Sequence, residues 1–169
     1  MATPAHRAER AAPDPQGRGR GLGWIFEPSP SPWTGRMLAI FRIVAGLIFI
    51  SAGTTKMFGF PPGPPDMPAF DPLTQIGFGA LLEVVGGLAI VLGLLTRPVA
   101  FVLAGEMAVA YFQFHAPASF FPTVNQGIPA ILYCFLFLYL TFAGAGPWSL
   151  DALIARSRVR ADHAQHGQT

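Results

Sequence analysis

The fold of this chain is decided by the stretch LLEVVGGLAIVLGLLTRPVAFVLAGE, residues 81–106. This stretch is predicted to form two membrane-spanning helices that fold back on each other at residues 96–98. Each helix carries one carboxylate near its middle, Glu83 in the first helix and Glu106 in the second. A charge at the centre of a bilayer costs about 2.5–3.5 kcal/mol. Two carboxylates in one hairpin therefore need either a stabilising partner or a function.

The composition of the whole chain is that of a membrane protein. Of its 169 residues 51% are hydrophobic and only 12% are charged, and the mean hydropathy is +0.44, which is too apolar for a soluble domain of this size. A helix needs about 20 apolar residues to cross a hydrocarbon layer of about 30 Å. Open sheet edges are not stable in lipid. The sequence therefore predicts an all-α polytopic membrane protein, a bundle of four transmembrane helices, with spans near residues 37–58, 73–95, 98–115 and 128–144.

The basic residues predict the orientation in the membrane, because short cytoplasmic flanks are enriched in Lys and Arg. Nearly all of them precede the first span, lie in the turn at residues 96–98, or come after the fourth span. With four spans these three places lie on one side, which predicts that both termini are cytoplasmic. The loop after the first span carries Asp66 and Asp71, and its prolines predict an extended cap on the outer surface.

Three regions are expected along the chain. Residues 1–35 are rich in Pro, Gly, Arg and Ala and lack an apolar run, so they are predicted to form a disordered cytoplasmic tail. Residues 36–152 form the transmembrane domain, with Asp151 expected in a short helix that Ser149 caps. Residues 153–169 form a basic cytoplasmic tail. The basic tails favour attraction to anionic lipid, and no nucleic-acid motif accompanies them.

Three charged residues are predicted to meet inside the bundle. Arg42 and Glu83 lie on helix faces with small residues, which should point toward other helices. At a rise of 1.5 Å per residue, Arg42, Glu106 and Glu83 lie about 8, 14 and 18 Å from the cytoplasmic boundary. One interpretation is a buried polar relay of Glu83, Arg42 and Glu106 that shares a proton beside a quinone-like headgroup. The alternative is a structural ion pair that locks three helices, and Glu106 fits this alternative better.

A second polar group is predicted near the outer surface. Lys56 and His115 both lie about 27 Å from the cytoplasmic boundary by the same helical rise. Together with Gln113 and Asn125 they are predicted to form an outer-leaflet polar pocket that binds a cofactor headgroup or admits protons. The alternative is that Lys56 only extends to the surface from a helix end and that His115 is solvated.

The sequence resembles the DoxX family over about residues 36–152. The resemblance is carried by an ordered set of motifs: AGTTK at 52–56, EVVGGL at 83–88, GLLTR at 93–97, FH at 114–115, NQG at 125–127 and GAGPWSLD at 144–151. It implies a four-helix integral protein of the bacterial cytoplasmic membrane that is associated with membrane redox complexes. Many relatives read Asn-Gly-Gly-Glu at the start of the fourth span, and this chain lacks that acidic group.

The resemblance implies a subunit or accessory of a quinone-linked membrane oxidoreductase. The sequence contains no haem-attachment motif, no clustered metal ligands, no nucleotide loop and no nucleophile elbow, and Cys134 is its single cysteine. A redox centre would therefore be a diffusible quinone or belong to a partner. The expected partners are the lipid bilayer, a soluble or membrane redox protein and a second copy of this chain. The alternatives are a non-enzymatic carrier of a small molecule or lipid, and a membrane scaffold for a soluble partner.

Overall fold

The computed structural model describes residue 31 and residues 33–65 and 67–166, and every regular element in this part of the chain is a helix. The helices are α1 (Thr34–Phe58), α2 (Gln75–Leu92), α3 (Thr96–Ala110), α4 (Ile128–Ala143) and α5 (Leu150–His166), and a π-helical segment, Tyr111–His115, continues α3. The four predicted spans coincide with helices to within a few residues. Most of the predicted N-terminal tail and Asp66 lie outside the described residues.

The outer surface of the bundle is apolar, as expected of a protein surrounded by lipid. Both α1 and α2 are long and apolar enough to cross a membrane, yet only 33% and 28% of their apolar windows are buried inside the protein. Leu47, Val85, Phe101 and Phe135 are each more than half exposed. A core helix of a soluble protein would bury such side chains, so the bundle belongs in a bilayer. The helix α4 is shorter, and the exact number of spans stays a prediction.

Glycines let α1 and α2 pack closely against each other. A Cβ atom at Gly46 would come within 3.0 Å of the carbonyl oxygen of Gly87, and one at Gly53 within 2.9 Å of that of Ala80. Close approach through small residues is a common basis of helix association in lipid. These contacts also set the antiparallel register of the two helices, which decides where their charged side chains meet.

The helices form two tight pairs with a looser junction between them. The helix α1 packs on α2, and α3 packs on α4, whereas α2 and α3 contact each other much less. The pairs share a core that includes Phe49, Leu103 and Phe137, with the rings of Phe49 and Phe137 edge to face at 4.8 Å between centroids. The looser junction leaves space between α2 and α3.

Arg42 closes the end of the bundle where α1 begins and α4 ends. We call this the basic end, and the opposite end the loop end. Arg42 is fully buried. Its guanidinium donates hydrogen bonds to carbonyl oxygens at the end of α2, those of Ile90 and Val91 (2.7 Å for Val91), and after α4, those of Ala145 (2.9 Å) and Trp148 (2.6 Å). The last carbonyls of a helix lack intrahelical partners and form the negative end of its dipole, so they stabilise a buried cation.

Asp151, in the first turn of α5, caps α3 at the basic end. Its carboxylate accepts hydrogen bonds from the backbone N–H groups of Leu95 (2.8 Å) and Thr96 (2.9 Å), whose orphan donors begin that helix. Partial burial raises the pKa of Asp151, but the hydrogen bonds from Thr96 and Leu95 and the charge of Arg42 outweigh it. The pKa of Asp151 is therefore held below its usual value.

The helix α5 is longer than the sequence predicts. Ser149 caps its first turn as expected, because its hydroxyl accepts a hydrogen bond from the N–H of Ala152 at 3.1 Å. The helix then continues to His166, through the segment predicted only as a basic tail. The basic residues of this segment therefore stand on a helix that starts at the basic end of the bundle.

We expect Arg42→Gln to lower the free energy of unfolding by about 2–4 kcal/mol, because it leaves buried carbonyl groups without their donor. Arg42→Lys should not restore the loss, since one ammonium cannot replace the planar fork of a guanidinium. Arg158→Gln, at an exposed position on α5, is the matched control and should stay within about 0.5 kcal/mol of wild type. Unfolding in detergent micelles, followed by circular dichroism, measures all three. An Arg42→Gln variant as stable as the control would contradict the structural role of Arg42.

We expect Asp151→Asn to be less stable than wild type by about 1 kcal/mol at pH 7, because it replaces a charged helix cap. A carboxylate with a depressed pKa stabilises the fold above its unfolded-state pKa, and this stabilisation is lost as the pH falls through the folded-state value. The difference between the two proteins should therefore disappear in acid, below the usual aspartate range. A difference that is independent of pH would contradict this account.

Candidate functional site

A groove of about 520 Å³ lies between α2 and α3. Its rim consists of apolar side chains on the lipid-facing surface, among them Phe78, Val102 and Val109, each about half exposed. Its floor carries charged side chains from α1, α2 and α3. The opening of the groove is therefore flanked by apolar side chains, and its charged groups lie at the bottom.

The floor of the groove holds an ion pair between α1 and α2. Lys56 Nζ lies 2.5 Å from Glu83 Oε1, and this is the one ion pair found within residues 33–65 and 67–160. The side chain of Glu83 is 4% exposed and that of Lys56 33%, so the carboxylate is buried while the ammonium reaches toward the loop end. The counter-ion of Glu83 is therefore Lys56. The predicted pairing of Arg42 with Glu83 and Glu106 is wrong.

The register of α1 against α2 and the direction of the side chains explain the choice of counter-ion. The glycine contacts place Glu83 level with Gly53, where an added Cβ atom would lie 3.0 Å from the Glu83 Cβ. Along the helix axis Lys56 is therefore about 4.5 Å away toward the loop end, and Arg42 is about 16.5 Å away toward the basic end. Side chains lean toward the N-terminus of their helix. On α1 this tilts Lys56 toward Glu83 and Arg42 away from it, and Glu83 on the antiparallel α2 tilts toward Lys56. The depths estimated from the sequence put Glu83 nearly midway between the two cations, whereas the observed register brings Lys56 much closer to it.

Glu106 faces the same groove from α3. A Cβ atom at Gly79 would lie 3.3 Å from Glu106 Oε1, so this glycine makes room for the carboxylate. Glu106 interacts electrostatically with both Glu83 and Lys56, and all three side chains line the groove. One ammonium compensates one carboxylate. Because an uncompensated charge is costly in a bilayer, we expect the two carboxylates to share one proton.

Polar side chains lie at the loop end of the groove. Gln75 Nε2 donates a hydrogen bond to Gln113 Oε1 and so joins α2 to the π-helical segment. His115 Nδ1 lies 3.0 Å from the carbonyl oxygen of Asn125. A carbonyl oxygen can only accept, so this nitrogen carries a proton. His115 lines the groove together with Lys56, whereas Gln113 is connected to it through Gln75.

Asn125 does not line the groove, so its predicted place in the polar pocket is wrong. Its side chain is buried, with Nδ2 donating to the carbonyl of Ser119 at 2.8 Å and Oδ1 accepting from the N–H of Gly127 at 2.7 Å. The amide is thereby used within the loop that precedes α4. Its contribution to the site is indirect, through the backbone carbonyl that positions His115.

Two residues of the predicted relay, Glu83 and Glu106, and two of the predicted outer pocket, Lys56 and His115, line one groove. The sequence-based prediction separates them because it assigns Glu83 to Arg42 and leaves Lys56 alone at the surface. It also misses Gln75 and the role of Gly79. A signal for both was present, since residues four apart share one helix face and Gly79 lies four residues before Glu83 and four after Gln75.

We expect Lys56→Gln to destabilise the fold by about 3–5 kcal/mol, because it leaves a buried carboxylate without its cation. Glu106→Gln should stay within about 1 kcal/mol of wild type, because it removes only the second, uncompensated carboxylate and keeps its shape. Both are measured by unfolding in detergent micelles. A Glu106→Gln variant that loses as much stability as Lys56→Gln would show that Glu106, and not Glu83, needs the ammonium.

Three comparisons with known proteins bear on this arrangement. The DoxX family model matches residues 37–116, which include most of α1, all of α2 and α3, and every residue that lines the groove. An uncharacterized protein of Haemophilus influenzae is 42% identical over 119 residues, which cover 68% of this chain and 87% of that protein. Inner membrane protein YqjF of Escherichia coli is 31% identical over 122 residues, which cover 68% of this chain and 89% of that protein. No solved structure matches the chain.

Proposed function

The chain belongs to the DoxX family, and we propose that it is a bacterial inner-membrane protein that serves as a subunit or accessory of a quinone-linked membrane oxidoreductase. The inner-membrane location is supported by the name of the Escherichia coli relative. The observation that carries the redox part of the proposal is the groove between α2 and α3, which opens to lipid and has charged groups on its floor.

The groove fits the chemistry of a quinone. Its volume of about 520 Å³ lies within the range of about 300–1,000 Å³ that small-molecule sites occupy. A quinone has an apolar ring, two carbonyl oxygens that accept hydrogen bonds and a hydrocarbon tail. The apolar rim suits the ring, the lipid-facing opening leaves the tail in the bilayer, and the ammonium of Lys56 and a protonated Glu106 are donors for a carbonyl oxygen.

When bound, a quinone supplies the uptake and release of two electrons and two protons. The residues of this chain would bind the ring and hold protons. Glu106 and Glu83 share one proton on the floor, and the imidazole of His115 lies at the loop end of the groove. The electron donor is assigned to a soluble or membrane redox partner protein.

Binding of a short-chain quinone to the purified protein in lipid nanodiscs tests the proposal. We expect binding with a micromolar Kd, and we expect Gly79→Leu to weaken it at least tenfold, because the new side chain fills the groove beside Glu106. Gly105→Leu is the matched control, since a Cβ atom at Gly105 would have no neighbour within 4 Å. Absence of quinone binding to the wild type, or equal binding by both variants, would refute a quinone site in the groove.

The lipid-facing opening also supports a second function, a non-enzymatic carrier of a small amphipathic molecule or lipid. The same variants separate the two functions. A groove that binds a fluorescent lipid but no quinone, with Gly79→Leu again weakening the binding, would favour the carrier. If neither ligand binds, the alternative is a membrane scaffold, for which the basic helix α5 would be the surface that meets a soluble partner.

A further inference from the structure

A second cavity, of about 200 Å³, lies beneath the loop that joins α1 to α2. Its wall is formed by residues 67–71 of the loop and by the start of α2. Lys56 lines this cavity and the groove as well. The ion pair of Lys56 and Glu83 therefore stands where the two cavities meet, with lipid on the side of the groove and an exposed loop on the other.

The wall of the second cavity is held in place by hydrogen bonds. The carbonyl oxygen of Asp71 accepts from the N–H (3.1 Å) and the hydroxyl (2.7 Å) of Thr74, and its carboxylate accepts from the N–H of Leu73 (2.9 Å). Thr74 in turn caps α2 by accepting from the N–H of Gly77 at 3.1 Å. A Cβ atom at position 77 would lie 1.8 Å from the Asp71 carbonyl oxygen, so only glycine fits there. The cavity is thus part of the folded structure.

The second cavity lies at the loop end of the bundle, under a loop whose residues 68–74 are exposed. Lys56, Asp71 and Thr74 all line it. The rest of its lining is apolar, so water is expected beside these three polar side chains, which it reaches past the exposed loop. Of the ion pair, only Lys56 has a substantially exposed side chain, so contact with water is made through the ammonium and not through Glu83.

We propose that the second cavity is the aqueous entrance of the groove and that Lys56 is its gate. Protons and small solutes reach Glu83 and Glu106 from the loop end through Lys56, while apolar ligands enter the groove from lipid. A lysine near a helix end can extend to water or fold back to a partner, which gives the gate two positions. The inference rests on the proposed function only in taking the groove as the ligand site.

Chemical modification of the wild-type protein in nanodiscs tests the entrance, because Lys56 is the single lysine of the sequence. A sulfonated acetylating reagent, which does not enter lipid, should modify Lys56, as read by mass spectrometry of the peptides. The N-terminal amine serves as the internal reference. We expect Ala69→Trp, which fills the second cavity, to slow the acetylation of Lys56 at least tenfold. Ala118→Trp, exposed in the other loop of the same end, is the matched control and should change the rate less than twofold.

Three results would overturn the proposal. Lys56 could be modified only by a lipid-soluble reagent, Ala69→Trp could leave its rate unchanged, or Gly79→Leu could slow the reaction in place of Ala69→Trp, which would mean that water enters through the groove. Quinone binding is measured separately on the same proteins. If Lys56 is not acetylated from water but quinone still binds, this inference alone is refuted. If Lys56 is acetylated from water but quinone does not bind, only the proposed function is refuted.

Discussion

The hydrocarbon layer offers no water to a charged side chain, so each charge placed there needs a partner inside the protein. The bundle meets this constraint differently at its two ends. Arg42 is surrounded by backbone carbonyls from α2 and from the segment after α4, which ties those parts together. Glu83 takes a single ammonium from Lys56, close to the loop end. The contacts that hold the helices together are thus concentrated at the basic end. Toward the loop end, α2 and α3 separate and leave the groove between them.

The helices and their polar faces could be predicted from the sequence, but the partners of the charges could not. Apolar length and the positions of Gly and Pro mark where the helices begin and end, because these depend on local chemistry. The partner of Glu83 depends on the register of α1 against α2 and on the tilt of the side chains, whereas the depths estimated from the sequence alone placed Lys56 and Arg42 at nearly equal distances from it. Asn125 was misplaced for a related reason, since its amide is used within its own loop.

The motifs that carry the family resemblance are in contact in the folded protein. The motif at 93–97 meets that at 144–151, where the N–H of Asp151 donates to the carbonyl of Gly93 at 2.9 Å. The motif at 52–56 meets that at 83–88 through the ion pair on the floor of the groove. The first contact belongs to the closed basic end, and the second to the candidate site. One pair of family motifs therefore stabilises the architecture of the bundle, and the other pair forms part of the groove.

The π-helical segment at Tyr111–His115 makes the position of His115 at the groove depend on the number of residues in this segment. Its wide turn is closed by a hydrogen bond from the N–H of Ala116 to the carbonyl of Tyr111, at 2.9 Å, which is one residue longer than an α-helical turn. Loss of one residue here would restore the α-helical pattern and rotate the residues beyond the deletion by about 100°. His115 would then turn away from the groove without any change in its identity. Single-residue insertions and deletions in this segment are thus a route by which related chains could acquire different ligands on the same bundle.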